Sequence, residues 1–82
     1  MNILKVYDNG GETVDRYTII FNSHDMKLPP HYDCLALSSR PTHPQGFSQW
    51  GSCVLGNHMG KEIDFTDLPT LIQEHIKQRI GE

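Results

Sequence analysis

Val14-Asp15-Arg16-Tyr17-Thr18-Ile19-Ile20-Phe21 is the stretch that decides the fold of this chain. β-Branched and aromatic residues dominate it, as a pleated, half-buried surface favours. Alternation puts Tyr17, Ile19 and Phe21 on one face and Arg16, Thr18 and Ile20 on the other. Just upstream, residues 2–7 (NILKVY) form a second β-rich run, with Leu4 and Val6 on one face and Ile3, Lys5 and Tyr7 on the other. Asp8-Asn9-Gly10-Gly11 joins the two runs, and Asn-Gly supplies the positive φ angles of a tight hairpin turn. Gly11, Glu12 and Thr13 can lengthen that loop, so the register stays open. An N-terminal antiparallel hairpin follows.

Downstream, residues 22–31 (NSHDMKLPPH) break the pattern. Asn, Ser and Asp favour turns, and Pro29-Pro30 cannot sit in a paired central strand. Residues 32–38 (YDCLALS) read as a third strand, with Cys34 and Ala36 facing one way and Leu35 and Leu37 the other. Pro41, Pro44, Gly46 and Gly51 make residues 39–51 a long loop. Short strands are expected at residues 52–55 (SCVL) and 61–65 (KEIDF), the latter with Ile63 and Phe65 inward. The chain closes on a helix with Thr66 or Asp67 as N-cap and Pro69 in the first turn. Leu68, Leu71, Ile72, His75, Ile76 and Ile80 fall at the spacing of one apolar face, and Gly81 terminates the helix. The expected architecture is a single α+β domain over residues 1–82. It has an antiparallel sheet of four to five strands with the C-terminal helix packed on one face.

Composition narrows the function classes. The chain has 82 residues and a net charge of −3, with acids and bases interspersed. No basic block can neutralise several phosphates at once, which argues against nucleic-acid binding. No apolar run approaches the length of a membrane span, and the N-terminus reads as a strand and not as a signal peptide. A cytoplasmic protein is expected; the two cysteines, Cys34 and Cys53, could form one disulfide, but in that compartment the reduced form is favoured.

The segment Arg40–Lys61, RPTHPQGFSQWGSCVLGNHMGK, contains no charged residue between its ends. Long loops in small domains are more often functional than idle. Low charge at the centre with charges at the rim is the anatomy of a protein interface, and Trp, Tyr and Arg are enriched at its hot spots. The candidate binding residues are Arg40, His43, Gln45, Phe47, Gln49, Trp50 and His58. The alternative for Trp50 is that it closes the small core.

Other chemistries find less support. Cys34, His43, Cys53 and His58 lack the short paired spacings of a zinc site. Cys53 lies near His43 and His58 in sequence, but no motif assembles a nucleophile with its base. Asp8 and Asp15 flank the first turn and could approach each other as an acid–base pair; the simpler reading is a turn residue and a solvated strand residue. No P-loop or dinucleotide fingerprint occurs. No catalytic residue, metal ligand or cofactor is assigned.

Four pieces taken together carry a resemblance: Val6-Tyr7-Asp8-Asn9-Gly10-Gly11, Asp15-Arg16-Tyr17-Thr18, His43-Pro44-Gln45-Gly46-Phe47-Ser48-Gln49, and His58-Met59-Gly60-Lys61 followed by Leu68-Pro69. The chain resembles a group of small bacteriophage and mobile-element proteins across nearly its whole length, with Asn22–Tyr32 outside the match. The resemblance implies a setting in the host-cell cytoplasm and not a chemistry. The leading expectation is a non-enzymatic binding module with a protein partner, an accessory or anti-defence protein acting through the 40–60 loop. Two alternatives are carried. One is a small hydrolase or transferase using His43, His58 and Cys53, or a polar pocket with Arg16, Asp15 and Gln49. The other is a subunit of a homo-oligomer paired through an edge strand.

Overall fold

Alternating apolar residues in the first half of the chain build a sheet, and the C-terminal apolar stripe covers one side of it. In a computed structural model, β1 (Ile3–Asp8), β2 (Tyr17–Asp25), β3 (His31–Leu37), β4 (Ser48–Cys53) and β5 (Lys61–Ile63) form one five-stranded sheet in the order β4-β3-β2-β1-β5. Every neighbouring pair is antiparallel. A single helical turn at Phe65–Asp67 leads into α1 (Thr70–Arg79). The structure describes residues 2–25, 31–56 and 59–81, with side chains omitted at 23–25. The Pro29-Pro30 loop and His58 therefore lie outside the described residues. No described helix is long and apolar enough to cross a membrane.

The α+β architecture expected from the sequence is the one observed. Tyr17, Ile19 and Phe21 face the helix, together with Val6, Leu35 and Leu37. Leu68, Ile72 and Ile76 close this core from α1 and its approach, and Ile3, Ile63, Phe65 and Ile80 pack at its margin. A second, smaller cluster lies on the opposite face, where Tyr7, Ile20, Cys34 and Met59 are buried against Tyr32, Cys53 and Leu55. The segment leading into β5 thus covers part of the helix-free face.

Five local expectations are corrected. First, a register shift between Ile3 and Lys5 turns Ile3 onto the helix side, opposite Phe21, and leaves Leu4 exposed. A bulge of this kind inverts the alternation on its two sides. Second, the first loop is not a tight turn. β1 ends at Asp8, paired with Tyr17, so residues 14–16 belong to the loop. Asn9 ties that loop closed by donating from Nδ2 to Thr13 Oγ1 (2.8 Å) and to the Asp15 carbonyl (3.1 Å). Third, Asn22–Asp25 continue β2 and are not loop. Fourth, Ser48–Cys53 is a strand, so the loop of the central segment ends before Ser48. The strand arises because β3 offers a free side: six register pairs, from Tyr32↔Cys53 to Leu37↔Ser48, override a poor intrinsic propensity. Fifth, Asp64 and Asp67 form a capping box on the short helical turn, and Pro69 is the N-cap of α1.

Candidate functional site

The sequence-derived candidates fall into three places. Arg40, His43 and Gln45 lie in a turn that folds on itself. The His43 amide donates to the Arg40 carbonyl (3.1 Å), and the Gly46 amide donates to the His43 carbonyl (2.7 Å). His43 Nδ1 accepts from the Gln45 amide at 3.1 Å, which commits one ring nitrogen to the turn itself. This turn borders a shallow depression with Val14, Ser38 and Ser39. Ser38 clamps its base, accepting the Phe47 amide on Oγ (2.9 Å) and donating its own amide to the Phe47 carbonyl (2.8 Å).

Trp50 occupies the second place. It is the β4 partner of Leu35 and therefore faces the helix side. Its ring lies 5.3 Å from that of Phe21, and the Arg79 guanidinium sits 5.6 Å above it. The residue is still 37% exposed. It caps the rim of the core, as the alternative reading has it, and also presents surface.

Gln49 and Phe47 occupy the third place, a groove of about 530 Å³ on the helix-free face. Thr18, Ala36, Cys34 and Gly51 border it within the sheet, Asn9, Glu12, Thr13 and Asp15 from the first loop, and Met59 and Cys53 at the other end. Asp15 and Gln49 thus share one cavity, as the polar-pocket alternative requires. Arg16 does not join them. It turns to Asp8, with Nε to Oδ1 at 3.0 Å and Nη2 to Oδ2 at 3.3 Å. That hydrogen bond, assisted by the Gly10 amide, holds the Asp8 carboxyl below its usual range despite partial burial. Asp15 instead accepts from Thr13 Oγ1 at 2.5 Å. The two carboxylates have separate partners and form no acid–base pair. His43 and Cys53 line different depressions as well.

Two features escaped sequence reasoning. The first is the placement of the two cysteines on one face of neighbouring strands. Both are free thiols, Cys34 buried and Cys53 half-buried. Burial, together with a hydrogen bond to Cys53, pushes the Cys34 thiol up to about 12. Burial also raises Cys53, partly offset by the same contact. Both sulfurs are therefore protonated near neutrality, a poor state for a nucleophile.

The second is a contact between Ser48 Oγ and His75 Nε2 at 2.8 Å, which ties the edge strand to α1 through side chains. Helical spacing placed His75 on the apolar face, and the contact with Ser48 could not be read without the edge strand. Desolvation, and next the nearby Arg79, lower the His75 pKa, so the folded protein favours the neutral ring. The unfolded chain protonates near the ordinary value of about 6.5. Stability is therefore complete above that pH and falls as pH drops toward the lower folded value. Thermal melts across this range should show that acid loss, and His75→Gln should flatten it; an unchanged slope would remove His75 as its source.

In comparisons with known proteins, no family model, no curated protein and no solved structure matches this chain.

Proposed function

We propose that the protein is a non-enzymatic binding module that takes an extended segment of a partner protein along the outer edge of β4. One observation carries the reading: the two sheet edges are built differently. β5 is three residues long and carries Lys61 and Glu62, the latter paired with Lys5 at 3.3 Å. A short, charged edge resists further pairing. β4 is six residues long, SQWGSC, with no charge, and among the described residues no strand pairs with its outer side. An added strand would gain main-chain hydrogen bonds there, while alternate side chains meet the groove on one face and Trp50 on the other. The turn with Arg40, His43 and Gln45 lies at the start of the same edge. Protonated thiols and the separation of His43 from Cys53 weigh against the hydrolase alternative. A small accessory protein acting by contact also suits the mobile-element setting that the sequence resemblance implies.

Selection of binders from a random-peptide library, followed by hydrogen exchange on the complex, tests this. Bound peptides should slow exchange at 48–53. The double substitution Gln49→Lys and Ser52→Lys puts charge on both faces of the edge at exposed positions. It should weaken binding at least tenfold, about 1.4 kcal/mol, without unfolding the domain. Binders indifferent to both lysines would overturn the reading. Concentration-dependent dimerisation that protects the same amides would assign the edge to a second copy.

A further inference from the structure

The helix-free face brings together three sulfur-bearing side chains that are far apart in sequence. Alternation along β3 puts Cys34 on this face. The β3–β4 register pairs Cys34 with Gly51 and Tyr32 with Cys53, so Cys53 stands on the same face, one diagonal step away. Gly51, directly opposite Cys34, contributes no side chain. A Cβ built there would lie 3.7 Å from Cys34 Sγ, so that sulfur leans over the glycine toward β4. Each thiol perturbs the ionisation of the other, as groups close together on one face do. Met59, buried in the same cluster, adds a thioether from a third segment. All three residues line the groove, with Cys34 and Met59 buried at its floor and Cys53 half-buried at its rim.

We propose that Cys34, Cys53 and Met59 form a binding site for a soft monovalent metal ion, Cu(I). The diagonal geometry favours a bridging ion over a disulfide. Diagonal neighbours in an antiparallel pair have Cα atoms about 7–8 Å apart, and a disulfide needs Cα atoms within about 6.8 Å and sulfurs at about 2.05 Å. An ion holding two sulfurs at about 2.3 Å each spans roughly 4 Å between them, a gap that side chains on diagonal positions of one face can present. Thiolate and thioether donors select soft ions. Zinc would call for four ligands, and among the described residues no group of three or more His, Cys, Asp or Glu could hold a metal. Cu(I) is satisfied by fewer, sulfur-only donors. On binding, each thiol releases its proton to solvent as its sulfur takes the metal, and no electron is transferred.

Anaerobic titration of the reduced, full-length protein against Cu(I) held by a colorimetric chelator tests the site. The expected result is one Cu(I) withdrawn per chain, with an X-ray absorption spectrum showing only sulfur neighbours. Cys53→Ser, at the half-buried groove rim, should keep the fold and weaken binding at least a hundredfold; Met59→Leu should weaken it about tenfold. Cys34→Ser is the companion variant, read only if its amide spectrum remains folded. Undiminished binding by Cys53→Ser, copper held only between two chains, or no withdrawal from the chelator would each overturn the proposal.

Discussion

Ile76→Ala is expected to cost about 2–5 kcal/mol, enough to leave much of the population unfolded at physiological temperature. Ile76 is fully buried (0% exposed) at the centre of α1. It packs in the cluster that joins Val6, Tyr17, Ile19, Phe21, Leu35 and Leu37 to Leu68 and Ile72. Truncation removes about three methylene equivalents and leaves a cavity that rigid strand backbones cannot collapse around. The loss is severe because the margin is small. A chain of 82 residues buries a modest fraction of its surface, and domains of this size sit near the lower end of roughly 5–15 kcal/mol. Each kcal/mol corresponds to about 4–8 °C in melting temperature for a domain of this length. Leu71→Ala is the internal control. It is the same kind of truncation in the same helix, but Leu71 is 78% exposed and its loss should stay within about 0.5 kcal/mol. Urea denaturation of the two variants decides the matter. Equal effects would mean that α1 does not dock through the Leu68–Ile72–Ile76 stripe.

That stripe also shows where sequence reading works and where it stops. Leu68, Ile72 and Ile76 were legible because they recur at helical spacing. Leu71 joined them in the periodic pattern, but the face that docks is narrower than the face that is apolar. β2 and β3 were legible because each buries both faces, and their alternate residues separate cleanly into the two clusters. β4 was not legible. An edge strand buries little of either face, so Ser48–Cys53 needed no hydrophobic alternation to form. It exists because β3 had an unsatisfied side, which is tertiary information.

Missing β4 hid two further things. Trp50 could not be assigned to a side of the sheet without knowing that it pairs with Leu35. Cys53 could not be set beside Cys34, although the face of Cys34 was correctly read. The candidate residues were therefore read as one segment, whereas the fold distributes them over separate surfaces. Gln49, Phe47 and the thiols belong to one groove, whereas Arg40, His43 and Gln45 belong to a separate turn.

Gly60→Ala is expected to destabilise the protein by roughly 2–4 kcal/mol and to disturb the groove at the same time. Gly60 has φ of 96°, where a side chain is strained on its own account. It also approaches the end of β1 closely. A Cβ would lie 2.5 Å from the Asp8 carbonyl oxygen, 2.6 Å from Asn9 Cα and 2.8 Å from the Asn9 amide nitrogen. All three obstacles are main chain, held by the β1–β5 pairing of Asp8 with Lys61 and by the bond from the Asn9 amide to the Arg16 carbonyl (3.0 Å). Relief requires the 59–61 segment to lift from β1. Gly10→Ala isolates the conformational part of the cost, because Gly10 has a similar φ of 76° and nothing within 4 Å of its Cβ position. It should cost only about 1–2 kcal/mol. The difference between the two variants measures the close approach. Lifting Gly60 also moves Met59, whose side chain covers Ile20 and Cys34. Gly60→Ala, but not Gly10→Ala, should therefore speed alkylation of Cys34 by a small thiol reagent. Equal reactivity in the two variants would mean that Gly60 does not hold the cover over this face.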